Sequence, residues 1–553
     1  MQKSIVFRCF LLCTAAAWIP IAVAMPPQAR PQVKQTFLGG PRGVVRTKDG
    51  LQLEGIMVQL ISEKSAIRTT VYSDGLGNFE FPKLGTGTYT LRIARPLEFY
   101  PYVKDSVRID GATRLENIVL ERVTQAEQLP ATPEITAQLT GAEWLMNLPG
   151  TGEEKRVFIQ SCNWCHSYQQ IFRSRHDDPG WRAIVRRMTA GAGSPLIVMR
   201  DDSHLRETPQ AREKIIQWLV KARGPESKDA PFAVFPGPRG IATRVVVTEY
   251  ELPRLELATH DVCGDSKGNI WYTPHRSPYI GKLDPRTGIV TEYKIPPLTP
   301  NALPGTHTVW VDKNDIVWLS ENWARNLTSF DPKTEKFTQV HLEQGGLINT
   351  PGFGNFGLAP DGYIWYNWDQ SVVKVDPKNG HILQQYPLTK IVSTYDNLIS
   401  MDGRFWAGGP TPGSFVGMVD IPAGKVWEIP TRSPLSNPAK GAFDREGNAW
   451  LGGRAGALVK LDPKTRQTNE YYPPTPFISF YEAMPDKNGE VWAGELHGGR
   501  FARFNPRTAQ WIEYVLPEPY AHDRRTWIDN STDPVTVWYA DHEGYMVRIQ
   551  PLE

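Results

Sequence analysis

The residues Ser161-Cys162-Asn163-Trp164-Cys165-His166 carry the strongest chemical signal in the chain. Two thiols one helical turn apart can add to the vinyl groups of a porphyrin. The histidine that follows at once is then placed to bind iron from the proximal side, which makes C-x-x-C-H the pattern of covalent c-type haem attachment. A redox C-x-x-C would need a thioredoxin-like βαβ context, which is missing, and half a zinc site would need a second cysteine pair, which the sequence lacks. A second set of candidates lies far downstream. His260 and His307 each stand eleven residues before a tryptophan, Trp271 and Trp318. Paired imidazoles at matching positions suit proton transfer or metal ligation.

The haem motif needs helices around it, and the flanking sequence supplies them. Trp181 to Met188 and Ala211 to Val220 place apolar residues at three- and four-residue steps, the period of amphipathic helices. From Cys162 to Val220 the pattern resembles small monohaem cytochrome c domains, with 140–228 as the expected extent. In such relatives a Trp-led helix ends at a methionine before a Gly-rich turn. Met188, preceding Thr189-Ala190-Gly191-Ala192-Gly193, matches that position and is the expected sixth iron ligand. Met199, His176 and His204 compete for the role. One motif predicts one covalent haem c.

The histidines downstream sit in a repeat. Asp265-Ser266-Lys267-Gly268-Asn269-Ile270-Trp271 recurs in looser form ending at Trp318, Trp365, Trp406, Trp450, Trp492 and Trp538, at intervals of 41 to 47 residues. Each period continues into a second turn such as Leu283-Asp284-Pro285 or Leu461-Asp462-Pro463, and a strand such as Val290-Thr291-Glu292-Tyr293 closes it. Periods of this length with several strands each are propeller blades, and seven markers predict seven blades over 240–553. The last period stops at Pro551 without a closing strand, while Val246 to Pro253 is a closing strand standing alone before the first. The early strand is therefore expected to complete the seventh blade and cover its edge.

Repeat register then predicts which side chains meet, because equivalent positions lie at one height around the axis. Eleven residues before the marker come His260, His307, Tyr395 and Tyr481. Three residues after it come Pro274, Glu321, Trp368, Gly409, Gly453, Glu495 and Asp541, with His275, His497 and His542 close behind. Polar groups converging on one mouth make a candidate substrate or metal site.

These repeats, including Trp271-Tyr272-Thr273-Pro274-His275 and Tyr279 to Pro285, resemble the virginiamycin B lyase (streptogramin lyase) family over 245–553. The resemblance is sharpest at Glu495-Leu496-His497. It implies His497 as general base for a ring-opening elimination and Glu495 as a ligand to Mg²⁺ or another divalent ion. Where the family carries a second histidine one blade earlier, this chain has Ala455.

Before the haem motif, short alternating runs (Ile56 to Leu60, Asn78 to Phe81, Tyr89 to Ile93) separated by Asp74-Gly75 and Gly85-Thr86-Gly87 read as half-buried strands and turns. Asp74 to Phe81, followed by Leu84-x-x-Gly87-x-Tyr89-x-Leu91, resembles the carboxypeptidase regulatory-like β-sandwich over 35–123. That resemblance implies spacing or docking, with no catalysis. Residues 1–24 read as an export signal: Lys3 and Arg8 precede an apolar run from Cys9 to Val23 that is short for a membrane span, and Ala22-Val23-Ala24 offers small residues for cleavage.

The expected architecture is thus multidomain and mainly β, with a β-sandwich, a small all-α haem domain and a seven-bladed propeller. At 553 residues the chain exceeds one hydrophobic core. Losing Lys3 and Arg8 with the leader brings the 61 basic residues level with the 59 acidic ones. Such balance argues against nucleic acid or an anionic membrane as the main partner. Only Cys162, Cys165 and Cys263 outlast the leader, so disulfides are not expected to hold the fold, and Cys263 is expected to be a buried strand residue. The favoured reading is a periplasmic or otherwise exported oxidoreductase or electron-transfer protein. Its haem would serve a periplasmic electron carrier, its propeller would hold a small-molecule substrate or the redox partner, and no integral span would remain after signal cleavage. The alternatives are a C–O lyase using Glu495 and His497, and a non-catalytic binding scaffold.

Overall fold

The computed structural model describes residues 38–125, 128–162, 166–189, 209–229, 231–254, 259–275, 277–298, 300, 305–322, 324–342, 357–368, 370–391, 394–409, 413–433 and 436–553. The leader, Cys165, Met199 and His204 lie outside them. The described part is mainly β, with a few helices between the early strands and the repeats.

Among the described residues each of the seven blades has four antiparallel strands, the fifth and sixth being joined in one nine-stranded sheet by the parallel pairing of Pro438–Phe443 with Glu482–Pro485. The first runs through Thr259–Gly264, Ile270–Pro274, Tyr279–Asp284 and Ile289–Lys294. The recurring aspartate explains the motif. Asp265 Oδ1 accepts the Lys267 and Asn269 N–H groups and so shapes the turn, while Oδ2 accepts the Trp271 indole N–H at 3.0 Å. Asp312–Trp318, Asp444–Trp450 and Asp486–Trp492 repeat that indole bond at 2.8–3.0 Å. The aspartate thereby satisfies the one polar atom of a tryptophan that the blades otherwise bury. Closure follows the expectation: Val245–Glu251 pairs antiparallel with Tyr545–Pro551 and supplies the outer strand of the seventh blade.

That outer strand does not end the sheet. Its free edge pairs with Arg68–Tyr72 of the N-terminal region, so one eight-stranded sheet crosses from the seventh blade into the strands Met57–Ser62, Gly87–Ile93 and Val103–Ile109. Opposite these, Leu38–Thr47, Asn78–Pro82 and Ile118–Leu120 form a second sheet. Val45, Val58, Leu60, Phe79, Phe81, Leu91 and Ile118 from the two sheets share one buried core, a sandwich covering both inner faces.

The helices are α1 (Pro133–Thr136), α2 (Gly141–Asn147), α3 (Gly152–Cys162), α4 (Gln169–Phe172), α5 (Asp178–Thr189) and α6 (Pro209–Arg223). They enclose Trp144, Phe158, Tyr168, Phe172, Trp181 and Trp218 in a core of their own. Helix α2 is where the three regions meet. Its capping box joins Thr140 and Glu143; the Glu143 carboxylate also takes Arg95 of the sandwich at 3.0 Å, with both side chains buried. The Ala142 N–H donates to the His497 carbonyl of the propeller at 2.8 Å. Glycine is required at position 141, where a Cβ would lie 2.7 Å from Tyr168 Cδ2 and 2.9 Å from His497 Cβ. No helix among the described residues is long and apolar enough to cross a membrane.

Candidate functional site

The register prediction brings side chains together on the axis. His260 and His307, on the inner strands of the first two blades, lie with ring centroids 3.8 Å apart. Tyr395 and Tyr481 complete the ring from later blades: His307–Tyr395 is 6.4 Å, Tyr395–Tyr481 5.8 Å and Tyr481–His260 5.9 Å between centroids. His275, on the turn after Ile270–Pro274, joins them at 4.6 Å from His260 and 5.1 Å from His307. The Tyr481 hydroxyl bonds to His260 Nε2 at 2.9 Å. The opposite ring nitrogen, Nδ1, meets Asp261 Oδ1 at 2.7 Å.

Behind this ring lies a device that single-motif reading does not find. Lys440 Nζ reaches Asp261 Oδ1 at 3.0 Å, and neither side chain is exposed to solvent. Burial of such a pair is tolerable only because each charge has a partner, and here the carboxylate also orients an imidazole. Burial holds His260 and His307 well below the ordinary imidazole pKa, with nearby cationic and imidazole groups adding to the effect, so both rings are neutral. Arg454 and Arg524 lie over the Tyr481 ring at 5.5 and 5.0 Å. Burial lowers Arg454 to about 9.

Glu495 and His497 belong to a second group. Glu495 is fully buried, and its carboxyl is pushed well above the usual range, first by burial and then by Glu513 beside it. His497 holds a left-handed backbone (φ 67°) and is 2% exposed. Its ring lies against Tyr168 on one side and 5.4 Å from His522, which in turn is 5.0 Å from His542. Neither ring nitrogen of the buried His522 has a hydrogen-bond partner among the described residues. Burial keeps its proton affinity low, aided by Arg524, His542, His497 and His166. Glu495 and His497 are both buried, and Tyr168 of the helical region covers the His497 ring. Glu321 is engaged within its own blade by Thr328, Asn326 and Gln339.

At the haem motif, Cys162 closes α3 and packs half-buried against the helical core. His166 donates from Nδ1 to the Ser167 carbonyl at 2.9 Å. That tautomer leaves Nε2 for a metal, the arrangement in which a ligating histidine is normally held. Met188 lies on α5 and is 53% exposed. His176 is packed edge-on against Trp181 at 5.1 Å. Cys263 is buried in the first inner strand, as expected, and burial raises its thiol to about 11.

No protein-family model matches the chain, and no curated protein matches it. Among solved structures, virginiamycin B lyase from Staphylococcus aureus is similar at 17% identity and a TM-score of 0.48, over 55% of this chain and 99% of that one. A streptogramin B lyase is similar at 19% identity and a TM-score of 0.49, over 56% and 99%. The extracellular domain of a hybrid two-component system from B. thetaiotaomicron is similar at 13% and 0.44, over 55% and 43%. At such identities and scores these likenesses decide nothing about the chemistry of this chain.

Proposed function

We propose that this chain is an exported c-type haem protein, an oxidoreductase or electron-transfer protein of the periplasm whose propeller binds the substrate or the redox partner. The supporting observation is the seat of the haem motif. Tyr168, two residues beyond His166, stacks on His497, whose ring lies 5.4 Å from that of His522. A haem held by Cys162 and Cys165 would supply one-electron chemistry beside the propeller. The chain's own part is to hold it: His166 is fixed in the tautomer that offers Nε2, and α3 sets Cys162 on a rigid core. From there His522 and His542 lead inward as neighbouring imidazoles toward the ring around His260. The cytochrome c-like and carboxypeptidase regulatory-like assignments of the helical and sandwich regions belong to the same proposal, the latter as the docking support for blade seven.

A lyase through Glu495 and His497 has less in its favour. A general base must reach the proton it removes, and the His497 ring is covered, while burial raises the Glu495 carboxyl above its ordinary pKa. The discriminating experiment is anaerobic incubation of the oxidised protein with periplasmic small molecules while the haem bands are followed. Reduction by one of them supports the proposal. Turnover of a compound with C–O cleavage and no change in the bands supports the lyase, and absence of both leaves the scaffold.

A further inference from the structure

We propose that His260, His275 and His307 form a binding site for one transition-metal cation on the propeller axis, with imidazole nitrogens as its protein ligands. The three rings come from two adjacent blades, and their candidate ligand atoms all lie within 4.8 Å of one another. A tetrahedral ion with metal–nitrogen bonds of about 2.0–2.1 Å needs those nitrogens about 3.3 Å apart. His275 is the half-buried member of the three.

The surroundings have the features of a ligating set. Asp261 fixes the His260 ring through Nδ1 and is itself fixed by Lys440, which leaves the Nε2 lone pair as the donor; it accepts from the Tyr481 hydroxyl at 2.9 Å, a bond that an incoming metal ion would replace. A carboxylate on the far nitrogen of a ligating histidine is the usual outer support of such a site. Three nitrogen donors suit zinc, copper, nickel or iron and disfavour magnesium, which takes oxygen ligands. The Mg²⁺ expected from the lyase resemblance therefore has no counterpart in this ring. Three imidazoles leave a fourth coordination position. Arg454 and Arg524 lie over the Tyr481 ring beside His260, which favours an anion there: hydroxide, or an oxygen of an anionic substrate.

The inference goes beyond the haem reading and does not depend on it, since it is measured whatever the haem content. Tag-free full-length protein is stripped with a chelator, given zinc chloride, desalted, and assayed for zinc with iron counted separately. Wild type is expected to retain one zinc per chain. His275→Ala and His307→Ala are expected to bind more than about 100-fold more weakly, because losing a ligand exceeds the 10–100-fold effect of losing an outer support. Cu²⁺ loaded in place of zinc is expected to show nitrogen superhyperfine structure in its electron paramagnetic resonance spectrum. Thermal melts establish that the variants fold, and His275, being half-buried, is the safer of the two. A wild type that retains no zinc, or a folded His275→Ala with wild-type affinity, overturns the proposal.

Discussion

Tyr168 lies flat on His497, the ring centroids 3.6 Å apart and the planes 10° from parallel. This one contact joins the segment after the haem motif to the sixth blade, and it removes the His497 ring from solvent. It also carries a strain signal, because the Tyr168 hydroxyl is buried without a hydrogen-bond partner among the described residues. Tyr168→Phe keeps the stack and deletes the orphaned hydroxyl, so stability is expected to stay equal or rise by about 1 kcal/mol. Tyr168→Ala is expected to cost about 3–5 kcal/mol. Chemical denaturation of the three proteins checks both signs.

The contrast between what the sequence discloses and what it hides has a physical basis. His260, His307, Tyr395 and Tyr481 were legible because a repeat converts sequence spacing into height on an axis, and the structure gathers those four residues. Closure by Val245–Glu251 was legible as a strand without a blade and a blade without a strand. Lys440 and Asp261 were not, since a lysine 179 residues away carries no mark of its partner. His522 fell outside the repeat's register. The pairing of Arg68–Tyr72 with the seventh blade and the seat of α2 on His497 depend on surfaces that meet only after each region has folded. For the same reason the cover that Tyr168 places over His497 leaves no trace in the repeat.

A single covalent haem is expected on the peptide containing Cys162 and Cys165. After acid–acetone extraction the haem mass should remain on that peptide, and Cys162→Ser should weaken the attachment to one thioether. If Met188 is the sixth ligand, haem binding must draw its exposed side chain inward, and Met188→Ala should lower the reduction potential and change the reduced spectrum. A change on Met199→Ala with none on Met188→Ala assigns the ligand to the later methionine.

Asp541 gives a pH prediction with a definite sign. Burial raises its carboxyl to about 7 from an ordinary value of 3.8, against the opposing pull of N–H groups from Glu543 and His522. The folded protein thus keeps a proton that the unfolded chain releases. The group's contribution is fully favourable below about pH 4 and is lost as pH rises to about 7, with no further change above it. Asp541→Asn mimics the protonated form at every pH. Between pH 5 and pH 8 its stability relative to wild type should therefore improve by roughly 2–3 kcal/mol, measured by paired urea titrations.

Lys440 tests whether the Asp261 carboxylate is the support that orients His260. Lys440→Met fills similar volume but removes the cation paired with the fully buried Asp261 carboxylate, and breaking a buried pair in this way costs about 3–5 kcal/mol. The second oxygen, Oδ2, offers no compensation, since it has no hydrogen-bond partner among the described residues. Adding Asp261→Asn to Lys440→Met removes the unpaired charge while keeping an amide oxygen within reach of Nδ1. The double variant is therefore expected to regain more than half of the lost stability, and a cycle built from the two single variants and the double measures the coupling directly. Additive losses would mean that Lys440 and Asp261 act independently, and the orientation of His260 would then have to come from Tyr481 alone.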